Sequence, residues 1–552
     1  MPTITLNKKI FEQLVGKELP LEELKDRISM LGTDLESVEG DEIHVEIFPN
    51  RPDLLSEQGF ARAFSSFIGV KTGLRKYTTK ESGCKVIVDP SVTMRPYTAC
   101  AIVKNLKFDD ERIREIMQIQ EKLATTYGRN RKKSAYGIYP LEAITFPLSY
   151  VAKDPQTVRF KPLGFEEAIS AADVLELHPK GKMYRHLTEN WKKYPFFIDA
   201  KNSVMCMLPF TNSNDTGKVD PKTKNVFVEC TGMDARNVEV ALNIITTALA
   251  DMGGEIYSVE VVYPDKMVIT PNLQPKKMKV DSAYLLQRLG LSLKEKELIP
   301  LFARMGYGWD NGHVLIPAYR ADILHQVDLA EDLAIAYGYE NFEEIIPNVA
   351  TIGEEDPLEG FMQKIRAVLV GLQMLETKNY HLSTKEDLLE KMQWKEGVAI
   401  SLKNALGEHN HLRNWILPSL LRVLTDNQHH AYPQNLFEIG RTFVKNRETE
   451  TGVEEREHLA IVLCHEKVDF TQVRQVLDVL FSTLGLLYTV KESEHSSFIR
   501  GRVGNIISEG KELGFIGEIS PQVLTSWGLL MPVVGFELDL EELFEIVKKK
   551  EK

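Results

Sequence analysis

The stretch PAYRADILHQVDLAEDLAIAYGYENF, residues 317–342, places Asp322, Asp328, Glu331 and Asp332 within eleven positions. It follows a proline-marked segment and opens an apolar-periodic one. If Asp322 caps a helix starting near Ile323, then Asp328, Glu331 and Asp332 fall at i, i+3 and i+4 and project from one face. Three like charges there repel. A hard divalent cation such as Mg2+, which takes oxygen ligands and keeps waters, relieves them better than zinc would. The alternative needs no ligand: the aligned peptide dipoles favour carboxylates near a helix N-terminus.

A second polar constellation lies in FVECTGMD, residues 227–234. A strand that delivers Glu229 and Thr231 into a turn before a helix N-terminus builds a polar pocket, because free backbone N–H groups point into it. An ordinary strand-to-helix connection is the plain alternative. Basic residues cluster in GRNRKK (Arg129, Arg131, Lys132 and Lys133) and in QPKKMK (Lys276, Lys277 and Lys279). Either run is a local RNA contact or a solvated face. The pairs His409 and His411, and His429 and His430, do not face one ligand position on a helix, so they read as surface histidines. Phosphate-cradling, zinc-hydrolase, serine-hydrolase and dinucleotide motifs are all missing.

The elements that would position these groups are legible in outline. LEELKDRISMLG reads as a helix stopped by Gly32, DEIHVEIF as a strand, and the segment after the Asn50–Pro52 turn as a second helix. NVFVEC reads as a strand and ARNVEVALNIITTALADMGG as a helix capped by Asp234 and stopped at Gly253. DSAYLLQRLG and EKELIPLFARMG lead as helices to the acidic stretch. After the linker IIPNVATIGEEDP, helices alternate with the strands NLFEIGRTFV, HLAIVLC and PVVGFELDL. The lysine-rich tail VKKKEK is expected to fray.

The 552 residues exceed a single core, and 43% apolar with 26% charged residues suits a folded α+β multidomain protein. The boundaries read as an N-terminal α+β domain 1–85, an α+β domain 86–266, an acidic-cluster domain 267–345 and a C-terminal module 353–552. The net charge of −12 gives no global attraction for nucleic acid, so any RNA contact is local. No apolar run spans a bilayer and the N-terminus lacks a signal-peptide core, which predicts a cytoplasmic protein without membrane contact. Five scattered cysteines, Cys84, Cys100, Cys206, Cys230 and Cys464, suit a reducing compartment and free thiols.

The acidic stretch resembles the metal-associated segment of phenylalanine–tRNA ligase β subunits of the archaeal and eukaryotic type. The similarity extends over the whole chain, through FPNRPDLLSEQGFARAF, QEKLATTYGRNRKKSAYGI, TGMDARNVEVALNIITTALADMGG and LPSLLRVLTDNQHHAYPQNLFEIGRTFV. It implies that Asp322, Asp328, Glu331 and Asp332 hold Mg2+ near a contact with an α subunit, in an α2β2 tetramer that charges tRNA(Phe). It also implies that the last 200 residues are a degenerate class II synthetase module, an antiparallel sheet with helices. The residues support degeneracy independently: such sites clamp ATP phosphate with a late arginine, and no arginine follows Arg502. ATP and adenylate chemistry then belong to the α subunit.

For the 86–266 domain the resemblance implies hydrolysis of tyrosine wrongly attached to the tRNA. Such proofreading is needed because a pocket shaped for an apolar side chain cannot strongly reject an added hydroxyl. The corresponding positions are Cys206, Asn212, Glu229, Thr231 and Gly232. The chain departs from the pattern here: Cys206 stands for a serine, Leu208 for a proline, Glu229 for an aspartate, and GIYPLE for a His-Asp-containing run. A thiol is a poor donor, and Cys206 reads as a buried small residue rather than a nucleophile. Two rival readings are a structural scaffold with a dead pocket and an Mg2+-dependent phosphohydrolase built on the acidic cluster.

Overall fold

The helix expected after TGMD runs Ala235–Asp251, capped where Asp234 accepts from the Asn237 N–H at 2.7 Å and left through Gly253 at φ 99°. Local capping chemistry sets these ends, so they match the sequence reading. The computed structural model describes residues 2–349 and 353–550. The chain divides into two units, Met1–Ile346 and Pro347–Lys552.

The first unit holds three main sheets. A three-stranded one pairs Glu42–Glu46 centrally with Thr3–Asn7 and Asp34–Glu39. A second pairs His313–Ile316 with Lys276–Lys279 and Gly308–Asp310. Between them in sequence lies a ten-stranded sheet whose path begins at Thr211–Asn212, passes through Val204–Met207 and Tyr194–Ile198, and ends with Tyr97–Lys104, Val226–Gly232 and Ser134–Pro140. One hydrophobic cluster runs from Ile4 through the Ala235–Asp251 helix to Ala336. The three sheets of this unit therefore share a core.

NVFVEC extends further than expected. Val226–Gly232 is buried at every position and pairs on both sides, Glu229 facing Cys100 on one neighbour and Gly137 on the other. Glu229 and Thr231 thus sit inside a central strand rather than in the turn that was expected to present them. Pairing on both edges keeps the strand extended through Gly232.

The second unit is built on a seven-stranded sheet ordered Leu375–Glu376, Gln434–Lys445, Val453–Cys464, Val533–Asp539, Lys511–Ile519, Phe498–Ser508 and Thr489–Glu492. All neighbours are antiparallel except the first pair. HLAIVLC explains its own apolar run: Leu459, Ile461 and Leu463 enter one core and Ala460, Val462 and Cys464 the other. Alternate side chains point to opposite faces, and both faces are covered. Of the expected linker, residues 350–352 lie outside the described part. The tail does not fray as expected through Lys550: the helix Leu540–Lys550 includes it, and residues 551–552 lie outside the described part.

Among the described residues no helix is long and apolar enough to cross a membrane. All five cysteines are free.

Candidate functional site

The strands Thr211–Asn212 and Ser134–Pro140 are the two ends of the ten-stranded path, yet their side chains meet: Tyr139 Oη lies 3.1 Å from Asn212 Oδ1. Arg131 reinforces the closure. Its Nη1 donates to the carbonyls of Pro209 and Phe210 at 3.0 and 2.9 Å. Arg129, Asn130 and Arg131 are all left-handed, with φ of 49°, 51° and 62°, which turns the Arg131 side chain back toward the sheet. Where the ends meet, a cavity of about 620 Å3 opens, with Ile116, Ile138 and Phe210 on its apolar wall and Arg131, His178, Lys180, Asn212 and Glu229 among its polar lining.

Glu229 is 1% exposed. Its Oε1 lies 3.2 Å from Tyr139 Oη, and its Oε2 is buried without a partner. Gly137 makes room for this contact, because a Cβ there would come within 2.6 Å of Glu229 Oε1. Burial pushes the carboxyl up to about 8, against the opposing pull of the Tyr139 hydrogen bond and of Arg95 and Arg131. At neutral pH the side chain is an acid that can donate. The Tyr139 hydroxyl is raised well above its ordinary value, again by burial. His178 is shifted down by burial; its Nδ1 accepts from the Lys180 N–H at 3.2 Å, which leaves the Nε2 proton for the Leu163 carbonyl. Both ring nitrogens are used.

Of the five pocket residues expected from sequence, Asn212 and Glu229 line the cavity. Cys206 is fully buried as the cross-strand partner of Asn212, and burial raises its thiol pKa, so it is no thiolate. Thr231 is fully buried with its hydroxyl unpartnered, and its carbonyl accepts from Arg95 at 2.8 Å. Gly232 packs where a Cβ would strike the Lys133 carbonyl at 2.5 Å. The basic run divides as well: Arg129 and Lys132 are exposed, Lys133 is half-buried over the Tyr127 ring, and Arg131 is a structural clamp. Tyr139, His178 and Lys180 escaped the sequence reading. Tyr139 alone had a signal, as part of the departing GIYPLE run.

The acidic stretch is corrected in two respects. Asp322 does not cap a helix; His325 does, and the helix is Gln326–Tyr337. Nor do the carboxylates stand as unrelieved like charges, because Arg320 supplies the opposite charge. Its Nε and Nη2 grip both oxygens of Asp322 at 2.8 Å, and Nη2 also reaches Asp332 at 2.8 Å. Tyr307 donates to Asp332 as well. Asp328 accepts the Leu324 and His325 N–H groups at 2.8 Å, as the N3 member of a capping box. Glu331 accepts from Tyr339 at 2.5 Å. Among the described residues no group of three or more His, Cys, Asp or Glu side chains is gathered to hold a metal. As arranged, Asp322, Asp328, Glu331 and Asp332 do not fit Mg2+: their charge is met by a buried guanidinium, two amides and two phenols. The histidines at 409, 411, 429 and 430 form no such group either.

Two family descriptions match the chain: "tRNA synthetase B5 domain" over residues 278–339 and "Phenylalanyl tRNA synthetase beta chain CLM domain" over residues 343–540. The phenylalanine–tRNA ligase β subunit of Pyrococcus abyssi is 39% identical over 556 residues, covering 99% of this chain and 100% of that one. The Archaeoglobus fulgidus β subunit is 39% identical over 555 residues, covering 99% of each chain. A solved N-terminal fragment of the phenylalanyl-tRNA synthetase β subunit from Pyrococcus horikoshii superposes with a TM-score of 0.59 at 38% identity, covering 61% of this chain and 99% of that one. Identity at this level, sustained from end to end of whole relatives, shows that the chain belongs to the phenylalanine–tRNA ligase β-subunit family.

Proposed function

We propose that the chain works with an α subunit, in an α2β2 assembly, to attach phenylalanine to tRNA(Phe) at the expense of ATP, and that its cavity hydrolyses tyrosine mis-attached to that tRNA. In this reading ATP, its Mg2+ and adenylate formation belong to the α subunit. Residues 1–85, 86–266 and 267–345 act as N-terminal, editing and acidic-cluster domains, and 353–552 as a class II-like module without a working site. Exposed Arg129 and Lys132 are the phosphate contacts, since their side chains remain in solvent.

The observation that carries the hydrolytic part is the cavity of about 620 Å3, lined mainly by apolar side chains and by the polar groups of Asn212 and Glu229 among others. An aromatic side chain fits the apolar wall, and the two polar groups can read a hydroxyl at its tip. A protonated Glu229 is not a general base. The chemistry is therefore positioning of water and of the ester carbonyl by hydrogen-bond donors.

The test is deacylation of preformed tyrosyl-tRNA by the complex with the α subunit. Hydrolysis should exceed the spontaneous rate, Asn212→Ala should slow it by on the order of 100-fold, and Cys206→Ser should change it little. A wild-type rate no faster than spontaneous decay would leave only the structural reading of this domain.

A further inference from the structure

The cavity's two polar readers are joined by a residue that does not line it. Tyr139 is fully buried, and its hydroxyl touches Asn212 Oδ1 at 3.1 Å and Glu229 Oε1 at 3.2 Å. We propose that Tyr139 is a positioning residue for specificity: by contacting both Asn212 and Glu229 Oε1 behind the cavity, it leaves Glu229 Oε2 as the free hydrogen-bonding atom for a hydroxyl on an aromatic aminoacyl group. The inference rests on the editing reading of the same cavity.

Proton count supports it. A phenol has one proton and cannot donate to two oxygens. Its one proton goes either to Glu229 Oε1 or to Asn212 Oδ1, and the contact occupies Oε1 in both cases. The remaining carboxyl oxygen, Oε2, is buried and without a partner. A buried polar atom left unmet is costly, and a ligand hydroxyl, which can donate or accept, is the group that would satisfy it. Gly137 fixes the geometry, since any side chain there would separate Tyr139 from Glu229. Asn212 and Tyr139 come from opposite ends of the sheet path, so the same bond couples closure of the sheet to the aim of the carboxyl.

The experiment is calorimetric titration of the full chain with two amide-linked, non-hydrolysable probes, tyrosylamino-adenosine and phenylalanylamino-adenosine. Wild type should prefer the tyrosyl probe. Tyr139→Phe, which keeps the ring, should reduce that preference by about tenfold, the worth of one buried hydrogen bond, with affinity for the phenylalanyl probe changed less than about twofold. Tyr139→Leu serves if the Phe variant fails to fold, with the same expectation. Equal loss for both probes would mean that Tyr139 only supports the fold, and an unchanged preference would mean that it aims nothing; either overturns the proposal. Equal wild-type affinity for the two probes, or binding of neither, overturns it too. Binding is read without hydrolysis, so a chain that discriminates the probes yet deacylates nothing would sink the hydrolytic reading and keep this one.

Discussion

Glu229 stands in a strand whose every residue is buried, facing Arg95 and Arg131 as the positive charges and Tyr139 and Cys206 as further titratable neighbours. Its pKa is raised from 4.5 to about 8 in the folded chain, chiefly by burial. Below about pH 4.5 folded and unfolded chains both hold this proton, and its contribution to stability is full. Between about 4.5 and 8 the unfolded chain releases a proton that the folded chain keeps, so stability falls as pH rises; above 8 the loss is complete. Glu57, raised to about 9 by burial and by Glu115, acts in the same sense. The melting midpoint of the first unit should therefore drop between pH 5 and 8. Glu229→Gln, which stays neutral, should remove a part worth on the order of a few kcal/mol and leave the Glu57 part. A pH profile identical in wild type and variant would show that Glu229 ionises normally.

Arg320 and Asp328 show how one short element is held together, and they set the expected order of damage. Arg320 is buried with a bidentate grip on Asp322 and a further bond to Asp332. Arg51 grips Asp53 through the same Nε and Nη2 geometry, at 2.9 and 2.8 Å. Arg320→Leu strands two carboxylates and should cost about 3–5 kcal/mol. Asp328→Ala removes one cap and should cost about 1 kcal/mol. Because the charges are already met, millimolar Mg2+ or its removal by chelator should not move the wild-type melting midpoint; a clear stabilisation by Mg2+ would restore the metal reading of these carboxylates. The same element shows what sequence can and cannot reveal. Asp234 and Gly253 were legible as helix ends because a cap needs only its own neighbours. HLAIVLC was legible as a strand because both its faces are buried. The true cap His325 was missed, since histidine is a weak capping signal, and Arg320 was overlooked as the counter-ion because its burial depends on the surrounding fold. Asn212 is reached only through the resemblance, whereas Glu229 is also legible from FVECTGMD as a polar residue on a strand before a helix. Tyr139 lies 73 residues from Asn212, and only the closure of the sheet brings them together.

At the scale of the whole molecule, the two units divide their chemistry unequally. The cavity in the first unit is large and mainly apolar. The second unit has a cavity of about 430 Å3 lined by Asp356, Glu359, Glu455, Glu457 and Glu541, with Arg441 as its single cation, and Arg441 is already bound to Glu455 and Glu457 at 2.8 and 3.0 Å. Five carboxylates against one committed arginine repel a triphosphate. Elsewhere in this unit much of the buried charge is paired internally, although Arg413 Nη2 is left without a partner. Arg413 and Glu438 are a fully buried pair at 2.6 Å, and Glu537 accepts the Ile416 and Leu417 N–H groups at 2.9 and 3.0 Å while facing His458. Arg502, the last arginine of the chain, is exposed and bound to Glu518 at 2.6 Å. No guanidinium is left in that part of the sequence to neutralise the charge that develops when phosphate is displaced, and loss of even one such group typically costs about 100-fold or more. The chain alone, at any phenylalanine and ATP concentration, should therefore give no phenylalanine-dependent pyrophosphate exchange. Exchange should appear only when an α subunit is added, with a rate that saturates at a fixed ratio of the two chains. Exchange by the isolated chain, freed of any α subunit, would mean that the second unit retains an adenylate site.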